Sequence, residues 1–119
     1  MEPTLREGDL VCFDRVEAGE VPKRGSVVVF QSPLDPNRRF VKRMIGLPGD
    51  ELRFEAGELR INGMPYRLKP QAHDPGLWLS VRVPDGHFFA LGDHAQVSYD
   101  SRGFGCVRLD RLVGRLIGF

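Results

Sequence analysis

Two stretches of this chain hold side chains that could do chemistry. The first is Arg39-Phe40-Val41-Lys42-Arg43-Met44-Ile45-Gly46-Leu47-Pro48-Gly49-Asp50. It reads as a strand that stops at a tight turn, because Pro48 removes a backbone donor and Gly49 accepts positive φ. Strand side chains alternate, so Phe40, Lys42 and Met44 share one face while Arg39, Val41 and Arg43 share the other. Lys42 is thus the odd residue on an apolar face. A lysine held among apolar neighbours loses solvation of its charged form, so its pKa falls and the neutral amine can act as a base. The simpler reading packs the stem of Lys42 and lets its ammonium reach solvent.

The second stretch is the polar, glycine-bounded segment Gly92 to Gly105, which holds Asp93, His94, Ser98, Asp100, Ser101 and Arg102. Three readings compete for it. His94, Asp100 and a serine would make a hydrolytic triad, given a geometry that local sequence does not establish. Asp93, His94 and Asp100 would bind a metal with His73 or His87, although the spacing fits no standard ligand pattern. Or the loop satisfies itself, with Asp100 paired to Arg102 and the serines bonded to backbone.

The elements that must position these residues are mostly strands. Ser26 to Gln31 is a continuous β-branched run, as expected of a strand buried on both faces. Asp9 to Arg15 is a further strand. Asp50–Glu55 and Glu58–Ile61 alternate around Ala56-Gly57 as a hairpin, and Asn62-Gly63 turns the chain into a short strand over Pro65–Leu68. Lys69 to Pro75 lacks periodicity and reads as an exposed loop carrying His73. Leu77–Val83 and His87–Leu91 alternate again, and Val107 to Phe119 closes the domain with one or two strands around Gly114. The expectation is an all-β fold of coiled, partly closed antiparallel sheets with little helix.

Bulk properties narrow the function. At 119 residues the chain is one domain with room for a core. Lys+Arg 17 against Asp+Glu 16 leaves no basic surplus, so charge gives no support for a nucleic-acid partner. No run has the apolar length of a membrane span. Cys12 and Cys106 lack metal spacing and read either as two buried thiols or as one disulfide.

Taken in order, the segments resemble the signal peptidase I family of serine/lysine-dyad membrane peptidases. Met1-Glu2-Pro3-Thr4-Leu5 with Gly8-Asp9 is similar to the family's Ser-Met-x-Pro-Thr-Leu box and its Gly-Asp. Gly25-Ser26-Val27-Val28-Val29-Phe30 resembles Gly-Asp-(Ile/Val)-Val-Val-Phe, with serine for aspartate. Phe40 to Asp50 resembles the lysine box with its Pro-Gly-Asp ending, and Ile61-Asn62-Gly63 the family's Asn-Gly turn. Gly92 to Gly105 resembles Gly-Asp-Asn-x-x-x-Ser-x-Asp-Ser-Arg-x-(Trp/Phe)-Gly, with His94 for asparagine.

The resemblance implies a catalytic domain over 1–119 with a small β extension around 51–90. It implies a serine endopeptidase that removes signal peptides from exported preproteins after small residues (Ala-x-Ala). Lys42 would be the general base and Ser98 the residue that orients it, with Asp93, Asp100 and Arg102 as structural support. Met1, Leu5, Phe40 and Val41 would line shallow pockets for substrate residues before the cleaved bond, the peptide lying as an added strand. No cofactor, metal or nucleic acid is implied. The partners are the signal-peptide region of preproteins and, through an N-terminal anchor, the membrane surface, on the outer face of the bacterial cytoplasmic membrane.

The family's nucleophilic serine immediately precedes the methionine that corresponds to Met1, and the anchor and an oxyanion donor lie further upstream. The 119 residues alone are therefore expected not to cleave. Two alternatives stand beside this one: a peptide-binding relative without catalysis, and a conjugation-type maturation peptidase of the same superfamily.

Overall fold

Val27 to Phe30 are four apolar residues in a row, a pattern suited to a strand covered on both faces. In the computed structural model, which describes residues 1, 4, 13–95 and 99–117, they form β2 (Val27–Gln31) inside a six-stranded sheet. The sheet runs β1 (Phe13–Arg15), β10 (Leu112–Leu116), β2, β3 (Arg39–Gly46), β8 (His87–Leu91) and β9 (Val107–Arg108). Every pair in it is antiparallel. The expected all-β architecture is what forms. Helix among the described residues amounts to α1 (Ser101–Phe104) and two 3₁₀ turns.

The second sheet has the order β6 (Met64–Tyr66), β5 (Glu58–Ile61), β4 (Glu51–Glu55) and β7 (Leu79–Arg82). Its first hairpin follows period-two patterning: Leu52, Phe54, Leu59 and Ile61 are buried, while Glu51, Arg53, Glu55, Glu58 and Arg60 are exposed. The buried side chains meet Ile45, Phe89 and Leu91 of the larger sheet in a shared core. Each such side chain contributes about 1.5–3 kcal/mol over its exposed state, so this cluster is the main bond between the sheets. Gly46 lets them approach: a Cβ there would lie 2.8 Å from Phe89 Cβ and 2.9 Å from Leu52 Cδ1.

Two turn motifs twelve positions apart meet at one carboxylate on this joint. Asp50 accepts from Leu47 N at 2.7 Å, from Asn62 Nδ2 at 3.0 Å, and from Arg24. Arg24 also donates to the Ile45 carbonyl at 3.0 Å. Burial pushes the Asp50 carboxyl up, but the Arg24, Leu47 and Asn62 hydrogen bonds outweigh it and hold the group below its ordinary value.

The strand order agrees with the expected segments, and the ends shift by one to three residues. The strand expected over Pro65–Leu68 is Met64–Tyr66, and that over Leu77–Val83 is Leu79–Arg82. Of the strand expected over Asp9–Arg15, Phe13–Arg15 is described. The segment Lys69–Pro75 is exposed at Lys69, Pro70, Gln71, His73 and Pro75, as expected of the loop carrying His73, but it is not wholly irregular. It contains a 3₁₀ turn over Pro70–Ala72 with Ala72 buried. A single small apolar residue produces no periodic signal, which is why pattern alone reads this turn as loop.

Candidate active site

β3 pairs with β2 over five positions, Val27↔Arg43 through Gln31↔Arg39, which puts Lys42 opposite Val28. Phe40, Met44, Val28 and Phe30 belong to one apolar cluster on that face. Lys42 sits among them at 9% exposure, its Nζ 5.7 Å from the centroid of the Phe40 ring. That burial withdraws most of the side chain from solvent. Burial is the dominant influence on the amine and pulls its pKa below the ordinary 10.5; the Asp100 charge opposes this and the Arg102 charge adds to it. The result is a lysine that gives up its proton more readily than one in water.

Asp100 and Arg102 lie together beside that amine. Asp100 is the N-cap of α1, accepting from Arg102 N at 3.0 Å, and its buried carboxylate also takes the Gly92 N–H at 2.8 Å. The Arg102 guanidinium grips the same carboxylate with Nε at 3.0 Å and Nη2 at 2.5 Å. Its Nη1 donates to the Ala72 carbonyl at 3.2 Å. Ser101 is buried, its Oγ accepting from Ala90 N at 2.9 Å, which pins the start of the helix to β8. A short aromatic stack closes the cluster, with Phe40 parallel to Phe104 at 5.9 Å and Tyr99 edge-on to Phe104 at 5.2 Å.

The opposite face of β3 carries the second ion pair. Arg43 binds Asp93 in a fork, Nε to Oδ1 at 2.9 Å and Nη2 to Oδ2 at 2.8 Å, while its Nη1 donates to the Gly25 carbonyl at 2.7 Å. The Thr4 hydroxyl donates to the same carboxylate, which ties the N-terminal box to the lysine strand. Hydrogen bonding to Asp93 raises the Arg43 pKa. Burial pushes Asp93 up, yet Arg43 and Thr4 overcome it and keep the carboxyl below its ordinary value. Arg43 was placed on this face by strand alternation; its partner, fifty residues away in a loop, leaves no periodic trace.

The structure gathers Lys42, Asp100 and Arg102 on one side and places Asp93 on the other. Ser98 and Leu5 lie outside the described residues, as does Cys12. Cys106 is a half-buried free thiol. Met1 and Val41 pack beside Val27, Val29 and Leu116, whereas Phe40 belongs to the Lys42 face. Val41 and Met1 thus lie on one side of the sheet at β3 and Phe40 on the other.

Of the readings of the polar loop, the self-satisfied one matches the described contacts, with Asp100 paired to Arg102 and Ser101 Oγ accepting from the Ala90 backbone. Asp93 and Asp100 are engaged by arginines, His73 faces Glu58 at 3.7 Å, and His87 Nδ1 faces the Asp85 carbonyl at 2.9 Å. Among the described residues no group of three or more His, Cys, Asp or Glu is placed to hold a metal. A triad through His94 would need Asp100, whose carboxylate is already held by Arg102 and the Gly92 N–H.

The family model described as signal peptidase, peptidase S26, matches residues 1–118. The chain belongs to this family. Its signal peptidase relatives include a probable signal peptidase I-2 of Synechocystis sp., 38% identical over 126 residues, covering 97% of this chain and 56% of that protein. A signal peptidase IB of Staphylococcus aureus is 34% identical over 137 residues, covering 98% of this chain and 70% of its own length. The chain therefore spans little more than half of the first relative. Among solved structures, a signal peptidase I from Enterococcus faecalis superposes with a TM-score of 0.71 at 29% identity, covering 82% of this chain and 97% of that one. Among the described residues no helix is long and apolar enough to cross a membrane.

Proposed function

We propose that this chain is the catalytic domain of a signal peptidase that cleaves signal peptides from exported preproteins by a Ser/Lys dyad. The observation that carries the reading is Lys42: an amine buried on an apolar strand face, its pKa lowered, beside the Asp100–Arg102 pair. The four-stranded sheet over residues 51–82 is read as a small extension of that one domain.

The nucleophile is a serine directly ahead of Met1. Its hydroxyl oxygen attacks the peptide carbonyl carbon while Lys42 Nζ takes the hydroxyl proton. The tetrahedral intermediate collapses as the resulting ammonium returns that proton to the departing amine nitrogen, leaving an acyl ester on the serine. Water then attacks the ester while Lys42 accepts its proton, and the ammonium returns that proton to the serine oxygen as the acyl–oxygen bond breaks and the acid product leaves. Ser98 orients the Lys42 amine, and the Asp100–Arg102 and Asp93–Arg43 pairs hold the two flanks. Met1, Leu5, Phe40 and Val41 shape shallow pockets that select small residues before the cut, as in Ala-x-Ala. The enzyme works on the outer face of the cytoplasmic membrane, held there by an N-terminal anchor.

The test extends the chain by a serine and the upstream segment and offers an Ala-x-Ala peptide. Cleavage is expected, with none in Lys42→Ala and none from the 119-residue chain. Tight peptide binding without turnover in the extended protein would favour a peptide-binding relative, and activity that survives Lys42→Ala would end the dyad.

A further inference from the structure

The connection from β6 to β7 crosses from the small sheet to the active-site loop and touches it at both ends. The Gln71 carbonyl accepts from Ala95 N at 2.8 Å, and the Ala72 carbonyl accepts from Arg102 Nη1 at 3.2 Å. Ala95 begins the stem of the loop that carries Ser98, and Arg102 grips Asp100 on the far stem. The Lys69 charge bears on Asp93 as well. The turn that presents these carbonyls is stiffened by Pro70 at its start and by Ala72 N donating to Lys69 O at 2.9 Å. Its far side rests on the β4–β5 turn: a Cβ on Gly57 would lie 2.3 Å from the Asp74 carbonyl oxygen and 2.7 Å from His73 Nε2.

We propose that the Lys69–Asp74 connection is a positioning element for catalysis, holding residues 92–95 and 99–102 in the register that sets Asp100 against Lys42. This rests on Lys42 being the general base. It gives the four-stranded sheet a part in the reaction without any contact to substrate. Because the loop is held by backbone carbonyls, side chains at 71 can vary while the path of the connection cannot.

Gly57 and Gly63 supply a matched pair for the test. Both have φ near +82°, so an added Cβ strains each alike, yet only Gly57 meets the connection, Gly63 having nothing within 4 Å. In the serine-extended protein, Gly57→Ala is expected to lower kcat at least tenfold with KM changed less than threefold. The rising limb of its pH–rate profile moves to higher pH as Lys42 regains solvent. Gly63→Ala stays within twofold in kcat with an unmoved limb. Pro70→Gly, an exposed change that loosens the turn without adding bulk, gives the same direction at smaller size and serves if Gly57→Ala fails to fold.

The 119-residue chain provides a readout that needs no catalysis. In Gly57→Ala and Pro70→Gly, amide exchange at Ala95 speeds at least tenfold and the Lys42 amine titrates at higher pH by NMR; Gly63→Ala changes neither. Equal kcat, pH limb and Ala95 exchange across the variants overturn the proposal. Absent peptidase activity with the Ala95 and Lys42 changes intact would instead overturn the function proposed above.

Discussion

Lys42 and Arg43 are neighbours on one strand, both cationic in water, and the fold drives them in opposite directions. Lys42 faces Val28, Phe40 and Met44, where burial costs the charged form and the pKa drops. Arg43, one peptide further on, faces Asp93, and the forked hydrogen bond raises its pKa. Alternation along β3 separates the two by a sheet thickness. A buried charge is stabilised only by a close, well-aligned counter-charge. The Arg43 face supplies one in contact, and on the Lys42 face the Asp100 charge does not outweigh burial. One face of the strand is suited to exchanging a proton and the other to never losing one.

The largest expected effect comes from removing the amine. In the serine-extended protein, Lys42→Ala should lower kcat/KM by about 10⁴-fold, the upper range for a general base, measured by cleavage of an Ala-x-Ala peptide. Next comes removal of the counter-charge on the other face. Asp93→Ala leaves Arg43 buried without its carboxylate and should destabilise the 119-residue chain by about 3–5 kcal/mol in urea unfolding. If the loss is under about 1 kcal/mol, the contrast between the faces is not electrostatic.

A smaller effect of opposite sign tests the burial of Lys42. Lys42→Met keeps the stem and removes the charge, so it should stabilise the fold by about 1–2 kcal/mol at pH 7. The pH dependence follows from linkage. Lys42 titrates lower when folded than when unfolded, so the unfolded chain binds more protons between the two values. Stability of the wild type relative to Lys42→Met should therefore rise with pH from the folded pKa up to about 10.5. Asp93 and Asp50 act at the other end, their contribution complete above about pH 3.9 and lost as pH falls through their lower folded values. The smallest effect is expected at an exposed pair. Arg82 and Glu51 lie 3.0 Å apart on the outer face of the small sheet, and Arg82→Ala should cost under about 1 kcal/mol.

Much of this was legible from local pattern. The alternation of Phe40, Lys42 and Met44 is a property of strand geometry, and Val27 to Phe30 needed no neighbours to read as a buried strand. The pairing of Asp100 with Arg102 was within reach because the two residues are close in sequence and one caps the helix that carries the other. The Gly92–Gly105 loop nonetheless hid α1, since four residues are too few to show a helical period. The Lys69–Pro75 connection is mostly exposed as its composition reads, but its contacts to the loop were not legible because they run through carbonyls, which every residue has.

The sequence by itself determined the strands, their turns, the family, and the odd lysine on an apolar face, because these depend on residue type and short spacing. Tertiary structure decided the rest. It set Asp93 on Arg43 across fifty residues, brought the Pro-Gly-Asp and Asn-Gly turns to one carboxylate, and laid the Gln71 and Ala72 carbonyls against the active-site loop. Contacts between residues so far apart are chosen by how the sheets pack, and no local pattern encodes that choice.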